Sequence, residues 1–296
     1  MKEFFAVLSN PAVPFIRYAL IAGLLSSISF GIIGTYVVVR RISSIAGAIA
    51  HSVLAGIGFG LYMQSAHDAQ WLTPLLGAIF AAILAALIIA LVSMYAKQRE
   101  DTVIGAIWAI GMAAGLLFIA RTPGYVDPMS YLFGNILIIS RQDLVLIAVL
   151  DGVVVLAGIL LYRQFQAVAF DEEFSSVRGL NTGLYYVVLL VLTALTVVLM
   201  ASIVGIVMVI ALLTLPAAVA SLFAKNLWQM MLASSLLTMV FSSTGLALSY
   251  SADTPSGSMI ILVAGGIYLI ALLLNNVFRR LRQKKIIHEQ NGRTHP

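Results

Sequence analysis

The chain has no cysteine. That excludes disulfides, thiolate metal centres, iron–sulfur clusters and cysteine nucleophiles. Charge is nearly as scarce, with only 10% of the 296 residues being Asp, Glu, Lys or Arg. A soluble domain carries about 25%, so too little polar surface is left to coat a water-soluble globule of this size. No G-x-x-x-x-G-K-[ST] loop occurs, so any ATP chemistry belongs to a separate chain. No polar stretch has the length of a soluble domain; the longest are 121–143 and 163–181. The N-terminus lacks the pattern of a cleavable signal peptide. Its apolar stretch is about 25 residues long, too long for a signal core, and runs straight into Arg40-Arg41.

Apolar residues make up 61% of the chain. The expected fold is therefore an all-α, polytopic transmembrane bundle in one domain, 1–296, with a basic tail at 279–296. A crossing helix needs about 20 apolar residues. Nine runs qualify: 15–39, 44–63, 73–96, 102–120, 144–162, 182–203, 205–224, 228–249 and 259–278. The segment 131–140 is apolar but too short to cross, which suits a re-entrant or interfacial piece. The 203/205 junction has almost no loop, so eight or ten spans are also compatible with the sequence.

The net charge of +5 reads as topology rather than as nucleic-acid binding. Nine crossings with a cytoplasmic C-terminus put 13 of the 17 basic residues on the inside. The opposite orientation inverts that asymmetry, so the positive-inside rule places the N-terminus outside and the C-terminus in the cytoplasm.

Ionisable residues inside spans are expensive and mark function by default. Two qualify, His51 and Asp151. Gly47, His51, Ala55 and Gly58 share one helix face, and small residues there let a neighbouring helix approach closely. A neutral imidazole is a metal ligand and proton acceptor; the competing reading is a buried histidine bonded for packing. Asp151 falls at a similar depth and could pair with His51 or ligate a cation with it. Its competing readings are a hydrogen bond to a neighbouring hydroxyl, or a span that starts later and leaves Asp151 near water. Glu100 and Asp101 open the fourth span, where acids suit the helix dipole. The 11 methionines are scattered, whereas a soft Cu(I) site would need them clustered.

Six strings, in order, resemble the permeases of metal-ion ABC importers of the zinc, manganese and iron type. They are GTYVVVRRISSIAGAIAHSVLAGIGFG at 34–60, EDTVIGAIWAIGMAAG at 100–115, YLFGNILIISRQDL at 131–144, FDEEFSSVRGLN at 170–181, VGIVMVIALLTLPAAVA at 204–220 and YSADTPSGSMIIL at 250–262. Two departures stand out. The family commonly has Asp four residues before the histidine, where this chain has Gly47. The family's proline in the fourth string is Glu172 here.

The resemblance implies a membrane permease subunit with no catalytic activity of its own, which moves a divalent metal ion by alternating access. It implies a second permease subunit, cytoplasmic ATP-binding subunits and an extracytoplasmic metal-binding protein as partners, in the bacterial cytoplasmic (inner) membrane. No cofactor is bound permanently; the metal, Zn²⁺ or Mn²⁺ with Fe²⁺ next, is cargo. His51 is implied to line the metal path, without a complete site; Asp151, read from its own place inside a span, is the first candidate for a second ligand. Asp171, Glu172, Glu173 and Gly179 fall in the loop implied to dock on the ATPase. Read from its residues, that loop is a short helix with acids first and a Gly to end it. Pro216 sits within a span, where it kinks or gates the helix. The alternatives are an ABC importer for siderophore- or cobalamin-type substrates, or a proton-coupled secondary transporter. The first needs a wider path; the second needs inverted repeats with broken helices. A membrane enzyme would need polar groups clustered at one depth.

Overall fold

The computed structural model describes residues 14–69, 71–96, 99–124, 127–134 and 139–291. Twelve helices occur among them: α1 (Pro14–Val39), α2 (Ser43–His67), α3 (Pro74–Tyr95), α4 (Glu100–Arg121), α5 (Pro128–Phe133), α6 (Arg141–Leu160), α7 (Tyr162–Phe170), α8 (Glu172–Val177), α9 (Thr182–Val204), α10 (Ile206–Ser221), α11 (Leu227–Ala252) and α12 (Ser256–Asn291). No strand occurs among the described residues.

Short polar residues set the breaks between apolar runs. Thr73 caps α3, its Oγ1 accepting from Leu76 N at 3.2 Å, and Pro74 follows at the first helical position, where its missing N–H costs nothing. Ser140 and Asp143 form a reciprocal capping box at the start of α6, satisfying two otherwise orphaned N–H groups. Asn181 caps α9 through Leu184 N at 3.1 Å.

Among the described residues, eight helices are long and apolar enough to cross a membrane: α1–α4, α6, α9, α11 and α12. They match eight of the nine runs read from the sequence. The ninth, 205–224, is α10, which has 16 residues and spans about 24 Å at 1.5 Å per residue, against a core of about 30 Å. The break before it is a single residue, Gly205, at φ +92°. Its backbone lies directly against that of Phe133 and Gly134, and Gly134 has φ +65°. A Cβ on either glycine would enter the other strand of backbone. Gly257, at the start of α12, packs on the Phe133 carbonyl at the same end. The far end of α10 places Ala217 and Ala220 with Val38, Val39 and Met230. Short as it is, α10 therefore runs from one end of the bundle to the other.

The apolar 131–140 segment contributes the end of α5 at the Gly205 end of the bundle; residues 135–138 lie outside the described residues. The helix α12 continues beyond the last apolar run into the basic tail as far as Asn291, and Lys2 and Arg293 lie outside the described residues.

The most enclosed helix is α2, packed between α3 and α4. Gly56 and Gly77 bring α2 and α3 into backbone contact, and Gly111 and Gly115 do the same for α4 on α2. Small residues replace the missing hydrophobic drive between helices in lipid with close van der Waals approach. On the other side α1 is sandwiched by α10, α11 and α6, and α9 bridges the two groups through α3 and α10. The outer faces of α3, α4, α6 and α12 expose Phe80, Ile110, Ile159 and Leu262, each about two-thirds or more accessible, as a lipid-facing surface requires.

Each end of the bundle gathers one set of loops. Arg40, Ser93, Glu100, Glu172 and Tyr186 surround one cavity. At the opposite end Arg141 Nε donates to the Tyr18 hydroxyl at 2.9 Å, near α5.

Candidate functional site

His51 lies two turns into α2 and is 7% exposed. Its Nδ1 is 3.0 Å from the Gly47 carbonyl one turn back. Donating to that carbonyl, Nδ1 carries the proton and leaves Nε2 with the free lone pair. A neutral imidazole held this way is ready to ligate a metal through Nε2. Nε2 has no hydrogen-bond partner among the described residues.

The small-residue face of α2 meets α4. Gly58 packs on the Gly115 carbonyl, and the indole of Trp108 covers both Gly47 and His51. The Trp108 and His51 rings have centroids 4.3 Å apart at 36°. A Cβ at position 47 would sit 3.0 Å from Trp108 Cζ3. Position 47, where the resembled pattern has a carboxylate, thus lies against an aromatic face from α4. The sequence held no local signal for this pairing, because Trp108 is 57 residues away and reads as one more apolar residue of its span.

Asp151 is in the interior of α6 and is 5% exposed. Its Oδ1 accepts from the backbone N–H of Ser29 on α1 at 3.2 Å and from the Ser29 hydroxyl. Its Oδ2 is buried without a partner. Counted at 1.5 Å per residue from the end of the bundle that holds Arg40, His51 and Asp151 both lie about 12–14 Å deep. Their partners differ, however. His51 looks into the α2–α4 seam and Asp151 into the α1–α6 seam, so the structure does not join the two side chains. No group of three or more His, Asp or Glu side chains able to hold a metal occurs among the described residues.

The 163–181 loop is two short helices. Asp171 caps α8, accepting from Phe174 N at 2.9 Å. The helix ends at Gly179, φ +83°, with Leu180 N bonding to Ser175 O and Gly179 N to Ser176 O, the pairing of a Schellman motif. Glu172 turns inward to Arg40, Oε2 to Nη2 3.1 Å, while Glu173 stays exposed. Phe170, Phe174 and Val177, spaced four and three residues apart, are 65%, 56% and 87% exposed. Pro216 is buried inside α10, which continues through it.

The model of the ABC 3 transport family matches residues 12–275. The chain belongs to the ABC 3 transport family. A Synechocystis membrane protein, slr2045, is 43% identical over 90% of this chain and 91% of its own length. The manganese import system permease protein ScaB of Streptococcus parasanguinis is 31% identical over 88% of this chain and 90% of its own. Among solved structures, PsaBC from Streptococcus pneumoniae in complex with Fab superimposes with a TM-score of 0.78 at 29% identity, covering 91% of this chain and 94% of that one. As an ABC 3 family member the chain is a transport permease subunit and not an ATPase.

Proposed function

We propose that the chain is the membrane-spanning permease subunit of an ABC importer for a divalent transition metal ion in the bacterial inner membrane. The observation that carries the metal path is His51: a buried imidazole in mid-span, with Nδ1 tied to Gly47 and Nε2 left to bind. Weak coordination suits a conduit, since an ion held tightly does not leave. A lone imidazole favours zinc-like ions, while ScaB is named for manganese; both ions are cargo in this reading. The free Oδ2 of Asp151 is the second oxygen available to a cation or a proton at the same depth.

The bundle crosses nine times in this reading, α10 included, with the Arg40 end in the cytoplasm and the N-terminus outside. Supporting it, the loops rich in Arg and Lys gather at one end, and α10 begins beside Gly134 and ends beside Val38. The cytoplasmic end then presents Phe170, Phe174 and Val177, all exposed and outside the membrane-length helices. These three residues are the docking face for a cytoplasmic ATP-binding subunit, with Asp171 and Gly179 fixing the ends of α8 and Glu173 on its rim. A second permease subunit and an extracytoplasmic metal-binding protein complete the importer. Pro216, inside α10, removes one backbone N–H donor and makes that turn the weak point at which a gate can work.

The test is reconstitution of the permease with its ATP-binding subunits and binding protein in proteoliposomes. ATP-dependent uptake of labelled Zn²⁺ or Mn²⁺ is expected, with each ion competed against the other. Uptake driven by a proton gradient without ATP would refute the reading.

A further inference from the structure

The cytoplasmic end of the bundle holds a polar cavity of about 350 Å³, with Arg40 in its lining. Arg40 sits in a turn of three residues between α1 and α2. Arg41 adopts φ +59° there, and Ile42 N bonds back to Val37 O. Such a turn leaves the backbone little freedom, so Arg40 moves with α1 and α2 as one piece. Its guanidinium, 13% exposed, reaches in three directions. Nη1 donates to the Val168 carbonyl in the last turn of α7. Nη2 donates to Glu172 at the first residue of α8. The guanidinium carbon lies 4.9 Å from the centre of the Tyr186 ring on α9. Tyr186 carries the contact on, its hydroxyl donating to Ser93 Oγ at 3.3 Å, and Ser93 donating to Glu100 at 2.7 Å.

We propose that Arg40 is the positioning residue that ties the α7–α8 segment to the transmembrane helices, delivering movement of that segment to α2 and its histidine. This rests on the reading of α8 as the ATPase contact. The route is short. Glu172 and Val168 grip Arg40; Arg40 is three residues before α2 begins; His51 follows two turns later on the same helix. Packed elements joined by fixed hydrogen bonds carry displacement, whereas exposed loops absorb it. The planar fork of Arg satisfies two acceptors while its face lies on an aromatic ring, and the point charge of Lys cannot do all three at once.

The experiment uses the full importer in proteoliposomes, with ATP hydrolysis and Zn²⁺ or Mn²⁺ uptake measured on the same vesicles. Arg40→Gln and Arg40→Lys are expected to lower metal moved per ATP hydrolysed by roughly tenfold. Co-purification with the ATP-binding subunit and basal hydrolysis should persist. Should Arg40→Gln fold poorly, Arg40→Lys retains the stem and the charge and decides the matter. Uptake and hydrolysis falling together at the wild-type ratio, or an unchanged ratio in both variants, would overturn the proposal. Phe174→Asp separates the two readings. If it leaves ATPase binding intact, α8 is not the docking face and the underlying reading fails. If it abolishes ATPase binding while the Arg40 variants stay coupled, only the tie fails.

Discussion

Replacing His51 with Ala separates a metal ligand from a packing residue, because the packing cost can be bounded. The substitution removes the ring contact with Trp108 at 4.3 Å, a class of contact contributing about 0.5–1.5 kcal/mol. It also removes the Nδ1 hydrogen bond to Gly47 O, with a net contribution of about 0.5–1.5 kcal/mol. Nothing polar is orphaned, since the Gly47 carbonyl still accepts the ordinary i→i−4 bond from the backbone N–H of residue 51. The total, about 1–3 kcal/mol, leaves most molecules folded for a protein of ordinary stability. His51→Ala should therefore elute as intact protein with a modestly lower melting temperature, yet lose ATP-driven metal uptake by at least about tenfold, the cost of roughly 1.4 kcal/mol at the transition state. His51→Phe is the companion variant. It keeps a ring against Trp108 and so recovers stability, but it has no lone pair and should not recover uptake. Normal uptake in either variant would make His51 a packing residue and end the assignment.

Gly47→Asp should destabilise the chain on its own, because its Cβ would lie 3.0 Å from the Trp108 ring. Combined with Trp108→Ala it should recover, giving a coupling of about 1 kcal/mol or more in a double-mutant cycle of melting temperatures; simple additivity would contradict the contact. Gly205→Ala should lower the melting temperature more than Gly124→Ala. Both sit at positive φ, +92° and +95°, but only Gly205 has backbone against it, so the second pays the left-handed penalty of about 1–2 kcal/mol alone. Asp151→Asn keeps an acceptor for Ser29 and removes the charge. Uptake should fall while the folded yield holds, and unchanged uptake would reduce Asp151 to a strut between α1 and α6.

What the sequence carried well was whatever depends on local composition. Apolar runs located eight membrane-length helices, and the Gly at 179 with acids at 171–173 located α8 and its ends. Small residues at 47, 55 and 58 gave the correct face of α2 for a neighbouring helix. Span length was harder at 205–224, because the apolar run continues past Ser221, where the helix stops after 16 residues. The sequence put a break at 203/205, one residue from where it falls, but not its cause, which is Gly205 meeting Gly134, 71 residues earlier in the chain. His51 and Asp151 were each legible as expensive polar groups, but their partners were not. Depth follows from counting residues, and on that measure the two agree. Azimuth around the bundle follows from which helices pack together, and there they part.

The same distinction accounts for Glu172 and Arg40. In the sequence Glu172 is one of three consecutive acids, and Arg40 is half of a basic pair that satisfies the positive-inside rule. Nothing local separates Arg40 from Arg41 or Glu172 from Glu173. The fold does so through the turn after α1. With Arg41 at φ +59°, the Arg40 side chain points under α7 and α8, and of the neighbouring acids Glu172 is the one it meets. Glu173, one residue on, falls about 100° further around the helix and stays in solvent. A charge count that serves for topology therefore also contains a specific contact between the α7–α8 segment and the turn leading into the helix that carries His51, visible only once the turn geometry is known.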